Sequence, residues 1–186
     1  MEKLNAIESA DAVVTRGHAE KCEAVGVYTM ECHDKDGNLK WSEVFDNLVT
    51  TAGKNELLEV GIRAQTATAT WYLGLISSTA YSAVAAADTM ASHAGWVEAA
   101  ATNVPDYDEA ARPTCVWSAA SAGAIALSSA LVFTINESGT VKGCFITDTA
   151  TKDGATGTLY SAGLFTGGDK VVIATDVISV SYTTSL

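Results

Sequence analysis

The chain has 186 residues, 48% apolar and 18% charged, with a formal net charge of −11. These values suit one globular domain with a sizeable core and exclude a disordered chain. The acidity excludes tracking of a nucleic-acid backbone, which needs clustered Lys and Arg. No apolar run reaches the roughly 20 residues that span a bilayer.

Residues 1–24 read as a polar N-terminal arm and residues 25–186 as a single β-sandwich domain. The opening stretch MEKLNAIESADAVV lacks the basic, apolar and cleavage regions of a signal peptide, which predicts synthesis in a reducing cytoplasm. VGVYTMECHD alternates Val27, Thr29 and Glu31 against Tyr28, Met30 and Cys32, the period of a strand. KDGN, with Asp36-Gly37, predicts a hairpin into the return strand LKWSEVFDNLV. Thr50 or Thr51 caps a short helix through AGKNELLEV, anchored by Leu57 and Leu58.

TATWYLGLI reads as a central strand. AYSAVAAADTMASHAGW follows as an excursion with helix-forming alanines, returning to a strand around Trp96. In it Asp88 or Thr89 caps a turn, Met90 is an apolar plug, His93 is dispensable and Gly95 frees the chain to re-enter the sheet. From Arg112 onward short runs separated by Gly, Ser, Asn and Asp read as strands: RPTCVWSAA, GAIALS, ALVFTIN, TVKGCFITD, GTLYSAGLF, KVVIATD and VISVSYTTS. The fold expected is mainly β, an antiparallel, jelly-roll-like sandwich with one or two short helices.

Charge is unevenly distributed along this frame. Residues 1–60 hold twelve acidic residues, whereas 113–186 hold five acidic residues and three lysines. A nearly uncharged sheet region suits faces covered by copies of the chain or by a partner.

No motif carries catalysis. GTLYSAGLFTGGDK at 157–170 is glycine-rich, but Gly167-Gly168-Asp169-Lys170 runs into a strand, not into the helix that a phosphate loop requires. TGGDK is read instead as a turn joining two antiparallel strands. TTAGKNELL does lead into a helix, yet has Leu48 in place of the first glycine and Asn55 in place of the hydroxyl.

His18 with Cys22, and Cys32 with His33, suggest metal ligation only on paper, since adjacent strand residues face opposite ways. Cys22, Cys32, Cys115 and Cys144 contain no CxxC pair and read as free buried thiols. Glu98, Asp106, Asp108 and Glu109 read as a solvated acidic loop rather than a glycosidase pair. Trp41, Trp71, Trp96 and Trp117 read as core, one per segment, with a sugar-stacking platform as the rival. No catalytic, cofactor-binding or metal residue is assigned, and no cofactor is expected.

EVFDNLVTTAGKNELL, WYLGLI, ADTMASHAGW, RPTCVWSAASAG, FTINESGTVKGCFITDTATKDG and GTLYSAGLFTGGDK, taken in order, resemble a family of virion structural proteins of tailed bacteriophages. The likeness runs from about Gly26 to Leu186. It implies a non-enzymatic particle component, made in the host bacterial cytoplasm and resident in the virion. Head, tail and collar positions stay open on the resemblance alone. The acidic chain and neutral sheet favour a capsid decoration or cement protein. Its partners would be the major capsid protein and copies of itself, as in a trimer, with no nucleic acid and no membrane. The rival is a tail- or fibre-associated protein that binds host-surface carbohydrate.

Overall fold

A computed structural model describes residues 24–186; the predicted arm and its His18–Cys22 pair fall outside or at the edge of that range. Strand β1 (Val25–His33) and strand β2 (Leu39–Val49) form the predicted hairpin, with Tyr28, Met30 and Cys32 buried on one side of β1. Helix α1 (Thr51–Gly61) follows directly, capped by Thr50. Strand β3 (Trp71–Ser77) then precedes a long excursion. Next come three short strands, β4 (Asp106–Tyr107), β5 (Thr114–Cys115) and β6 (Ala124–Ala126). The remaining strands are β7 (Leu131–Glu137), β8 (Gly139–Thr147), β9 (Leu159–Leu164), β10 (Lys170–Val172) and β11 (Val177–Ser185). All pairings are antiparallel, giving the mainly β, sandwich-like fold that was expected, with one helix among the described residues.

The sheet runs β4-β7-β11-β1-β2-β9-β8-β3-β5 and curls into two packed layers. Strand β2 makes the corner. Its first part pairs with β1 through Asp46, and its last residues, Asn47 to Val49, pair with β9. A strand that changes partner along its length passes from one layer to the other. Tyr28, Phe133, Val180 and Tyr182 of the first layer meet Leu73, Cys144, Ile146 and Tyr160 of the second in one apolar core. The β5–β6 hairpin bridges the layers at the far side. Ser118 N–H donates to the Ala126 carbonyl at 2.9 Å, and Leu127 N–H donates to the Tyr182 carbonyl at 2.9 Å.

Residues 78–105 cover the outer face of the second layer. Met90 and Trp96 there pack on Ile76, Phe145, Leu159 and Ala162, making a second core. Burial of both faces explains why β3 reads as a central strand, with Leu73 through Ser77 all buried. In fact it lies next to the end of the sheet, flanked by β8 along its length and by β5 only at its start. The alanine-rich excursion contains no helix, and Trp96 lies in no strand; a single bridge, Ile76 to Glu98, ties this segment to β3. Side chain–backbone bonds displace the helix here. Asp88 Oδ2 accepts from the Ala85 N–H at 2.8 Å and from the Trp96 indole at 3.0 Å.

The glycine-rich stretch also differs from its expected form. Strands β9 and β10 both pair with β8, through Leu159–Leu164 and then Lys170–Val172, along the same edge and in the same direction. TGGDK is therefore a loop interrupting one continuous run, not a hairpin between antiparallel neighbours. The chain leaves the ladder after Leu164, and Gly168 at φ +85° turns it back.

Candidate functional site

The residues singled out for chemistry are mostly occupied in holding loops. Lys170 pairs with Glu43 at 2.7 Å and Lys142 with Asp169, so neither ammonium is free for an anion. At the α1 N-terminus the Thr51 N–H donates to the Ala86 carbonyl at 2.8 Å and the Gly53 N–H to Thr50 Oγ1 at 3.0 Å. A phosphate would find these donors already engaged.

Cys32, Cys115 and Cys144 are buried free thiols. Burial, and then the Asp176 carboxylate, pushes the Cys32 thiol up to about 12; burial alone takes Cys115 to about 12, and burial, then Cys115, raises Cys144. Protonated thiols are neither nucleophiles nor good ligands. His33 is half-buried at a bulge in the β1–β2 ladder. His93 stacks on Trp96 at 4.1 Å, with Nδ1 at 2.9 Å from the Trp96 carbonyl. Among the described residues, no group of three or more His, Cys, Asp or Glu is placed to hold a metal ion.

The acidic loop is not solvated as expected. Glu98 is buried, and its carboxylate accepts from Arg112 Nε at 2.8 Å and Nη2 at 2.7 Å. Glu98 Oε2 also accepts the Asp153 N–H at 2.7 Å, and Arg112 Nη1 donates to the Thr149 carbonyl at 2.7 Å. The pair thus ties the 98, 112 and 149–154 segments together. Asp106 pairs with Lys152 at 2.6 Å, and that ammonium lies 3.7 Å over the Tyr107 ring. The Glu109 carboxylate takes the edge Thr134 N–H of β7, leaving only Asp108 exposed. Arg112 escaped notice in the sequence; its one signal was a lone arginine beside a nearly uncharged region. Asp176 escaped too: it is buried, bonded to Lys40 and to the Ile173 N–H.

Among the described residues, two surfaces bear on the binding roles expected from the sequence. The first is an open cleft of about 620 Å³ at one end of the sandwich. Trp71, Trp117 and Tyr160 line it beside Leu57, with Thr68, Thr114 and Thr184 supplying hydroxyls. The tryptophans therefore divide, contrary to a uniform core role. Trp96 is buried, whereas Trp41, Trp71 and Trp117 are half-buried. Leu58, the second predicted helix anchor, is 59% exposed, because one residue of helix turns it away from Leu57 and the core.

The second surface is the outer face of the first layer. Thr29 on β1 lies between Val44 of β2 and Ser181 of β11; Val27 lies between Asp46 and Thr183, and Glu31 between Ser42 and Ser179. Val132 of β7 and Ala126 of β6 extend the rows beyond β11. The side chains are thus short hydroxyls and valines, with Glu31 and Asp46 the carboxylates among them and Lys40 at the rim tied to Asp176. Val44 is 58% exposed and Val132 47%. Strands β6, β7 and β11 of this face come from the nearly uncharged C-terminal region, whereas β1 and β2 bring Glu31 and Asp46 from the acidic N-terminal part. Compared with known proteins, the chain matches no family model and no curated protein sequence.

Proposed function

We propose that this chain is a bacteriophage virion structural protein, a capsid decoration or cement protein that binds and reinforces the assembled head shell. One observation carries the reading. WYLGLI, ADTMASHAGW, RPTC, GCFITD and GTLYSAGLF, blocks that resemble phage virion proteins, converge around Trp96 and the Glu98–Arg112 pair. What these blocks have in common is a packing arrangement that rigidifies a β scaffold, with polar groups engaged in loop anchoring. A rigid body with a broad face of short side chains suits repeated contacts on a lattice, where many weak contacts add by avidity. The major capsid protein is the partner in this reading, and the virion the location.

A protein that binds only the assembled shell stabilises it by mass action. Particles lacking it assemble but release DNA at lower temperature or under osmotic shock, and adding back the purified protein restores resistance. Equal robustness of such particles, coupled with failed adsorption to cells, replaces this reading with the tail or fibre one. The aromatic cleft favours that second reading, since Trp71 and Trp117 offer flat faces and the threonines hydroxyls to a sugar. Quenching of tryptophan fluorescence by host-surface glycans, abolished in Trp117→Ala, would support it.

A further inference from the structure

We infer that Lys40 and Asp176 are the two halves of an intramolecular isopeptide bond, a covalent staple between β2 and the start of β11. The inference concerns a modification site and does not rest on the assembly reading above.

Three observations meet at Asp176. First, its carboxylate is withdrawn from water, with the side chain only 1% exposed. Oδ2 accepts from Lys40 Nζ and from the Ile173 N–H at 2.8 Å, whereas Oδ1 is buried with no hydrogen-bond partner among the described residues. A bare carboxylate oxygen inside a protein is costly, and its loss as water removes that cost. Second, Thr175, immediately before it, has φ +81°. A β-branched residue in that region is strained, and such strain clusters where a functional position is over-determined by its surroundings. Strand β7 supplies the constraint: the Thr175 N–H donates to the Ile135 carbonyl at 2.7 Å, and the Ile135 N–H to the Asp176 carbonyl at 2.8 Å. Third, strand register brings the pair together. Leu39 and Val177 both pair with His33, one from each side, so their neighbours Lys40 and Asp176 meet past the end of β1.

Other lysine–carboxylate pairs lack this setting. In Lys142–Asp169, Lys152–Asp106 and Lys170–Glu43 the acidic side chain keeps between 14% and 36% exposure. Water there solvates the carboxylate and holds the pair ionic.

The condensation balances without a co-reactant. One proton of the Lys40 ammonium passes to Asp176 Oδ1, giving an amine and a carboxylic acid. The Nζ–Cγ bond then forms and the Cγ–Oδ1 bond breaks. A second proton from Nζ joins Oδ1, which leaves as water toward the side where Lys40 is 28% exposed. The product is a neutral amide whose remaining oxygen, Oδ2, keeps the Ile173 N–H. Two charges that are costly to bury disappear in the same step. Orientation supplies the drive, since effective molarities of about 10⁵–10⁸ M for well-placed groups favour condensation over the separated amine and acid. The partners are 136 residues apart in sequence, so the bond constrains the unfolded chain as a disulfide closing a long loop does.

Intact-mass spectrometry of the purified full chain, denatured and reduced, tests the bond. The expected mass lies about 18 Da below that of the sequence, the loss of one water. Tryptic mapping should show no cleavage after Lys40 and a branched peptide joining residues 36–54 to residues 171–186. Lys40→Arg keeps a cation beside Asp176 but forms no such amide. It should show its full mass and a lower urea midpoint than wild type. A wild-type chain of full mass overturns the inference. So does a loss of water mapped to Asp36-Gly37 or Asp153-Gly154, where succinimide formation gives the same deficit, or a deficit that persists in Lys40→Arg. The wild-type mass and map decide the matter even if the variant fails to fold, and neither depends on the particle assay.

Discussion

Arg112 and Glu98 make the most consequential contact between single residues. Both are buried, and the guanidinium meets the carboxylate through two donors, so neither charge is left bare. The value of such a pair lies less in its attraction than in the cost of losing one member. Arg112→Met leaves the Glu98 carboxylate without its buried partner and should lower unfolding stability by about 3–5 kcal/mol in urea titration. Glu98→Leu combined with Arg112→Met should cost less than the single change, because the stranded charge is gone. Recovery stays incomplete, since the Asp153 N–H and the Thr149 carbonyl still lose partners. A single-variant loss below about 1 kcal/mol would show the site to be hydrated instead.

Among the elements, α1 depends most on one residue. Thr50 accepts the Gly53 N–H, and its hydroxyl also donates to the Leu159 carbonyl on β9, fastening the helix to the second layer. Gly53 permits the contact, because a Cβ there would lie 2.2 Å from the Tyr160 carbonyl oxygen. Thr50→Ala should therefore destabilise by about 1–2 kcal/mol, toward the upper end for an N-cap. Thr51→Ala, at an exposed position beside it, should stay within about 0.5 kcal/mol. Equal effects in urea unfolding would mean that the cap is shared. The sequence named both threonines as candidates; choosing between them required β9, more than a hundred residues away, to be in place.

At the scale of the whole molecule, burial of acids in their neutral form predicts sensitivity to alkali. Burial, then the neighbouring thiol of Cys144, raises Tyr28; burial, then Glu98, raises Tyr107; burial, then Tyr160, raises Tyr182. Burial pushes the Cys32 and Cys115 thiols up to about 12. Above pH of about 8.5 the unfolded chain releases protons that the folded chain keeps, so stability falls as pH rises. The contribution is fully present below the unfolded values and disappears as pH climbs through the folded ones. Urea midpoints should be level from pH of about 6 to 8 and decline steadily above about 9. At pH of about 8, native Cys32, Cys115 and Cys144 should resist alkylation while the unfolded chain reacts. A midpoint unchanged to pH of about 11 would contradict the burial argument.

Strand identity in this protein follows from local pattern. The alternation through Tyr28, Met30 and Cys32, the Asp36-Gly37 turn and the bounds of β2 were all legible, because side chains two residues apart share a face wherever a strand forms. The mainly β class and the nearly uncharged character of residues 113–186 were legible for the same reason: both are properties of composition and period. Pairing was not. That β2 turns the corner between layers, that β9 and β10 share one edge of β8, and that Trp96 is buried outside any strand depend on contacts between distant residues. Burial of Glu98 was hidden too, since a carboxylate enters a core only when its partner arrives from another segment. The sequence alone therefore determined most of the elements and the scarcity of charge; tertiary structure decided which side chains became core, anchor or open face, because burial is a property of neighbours and not of residues.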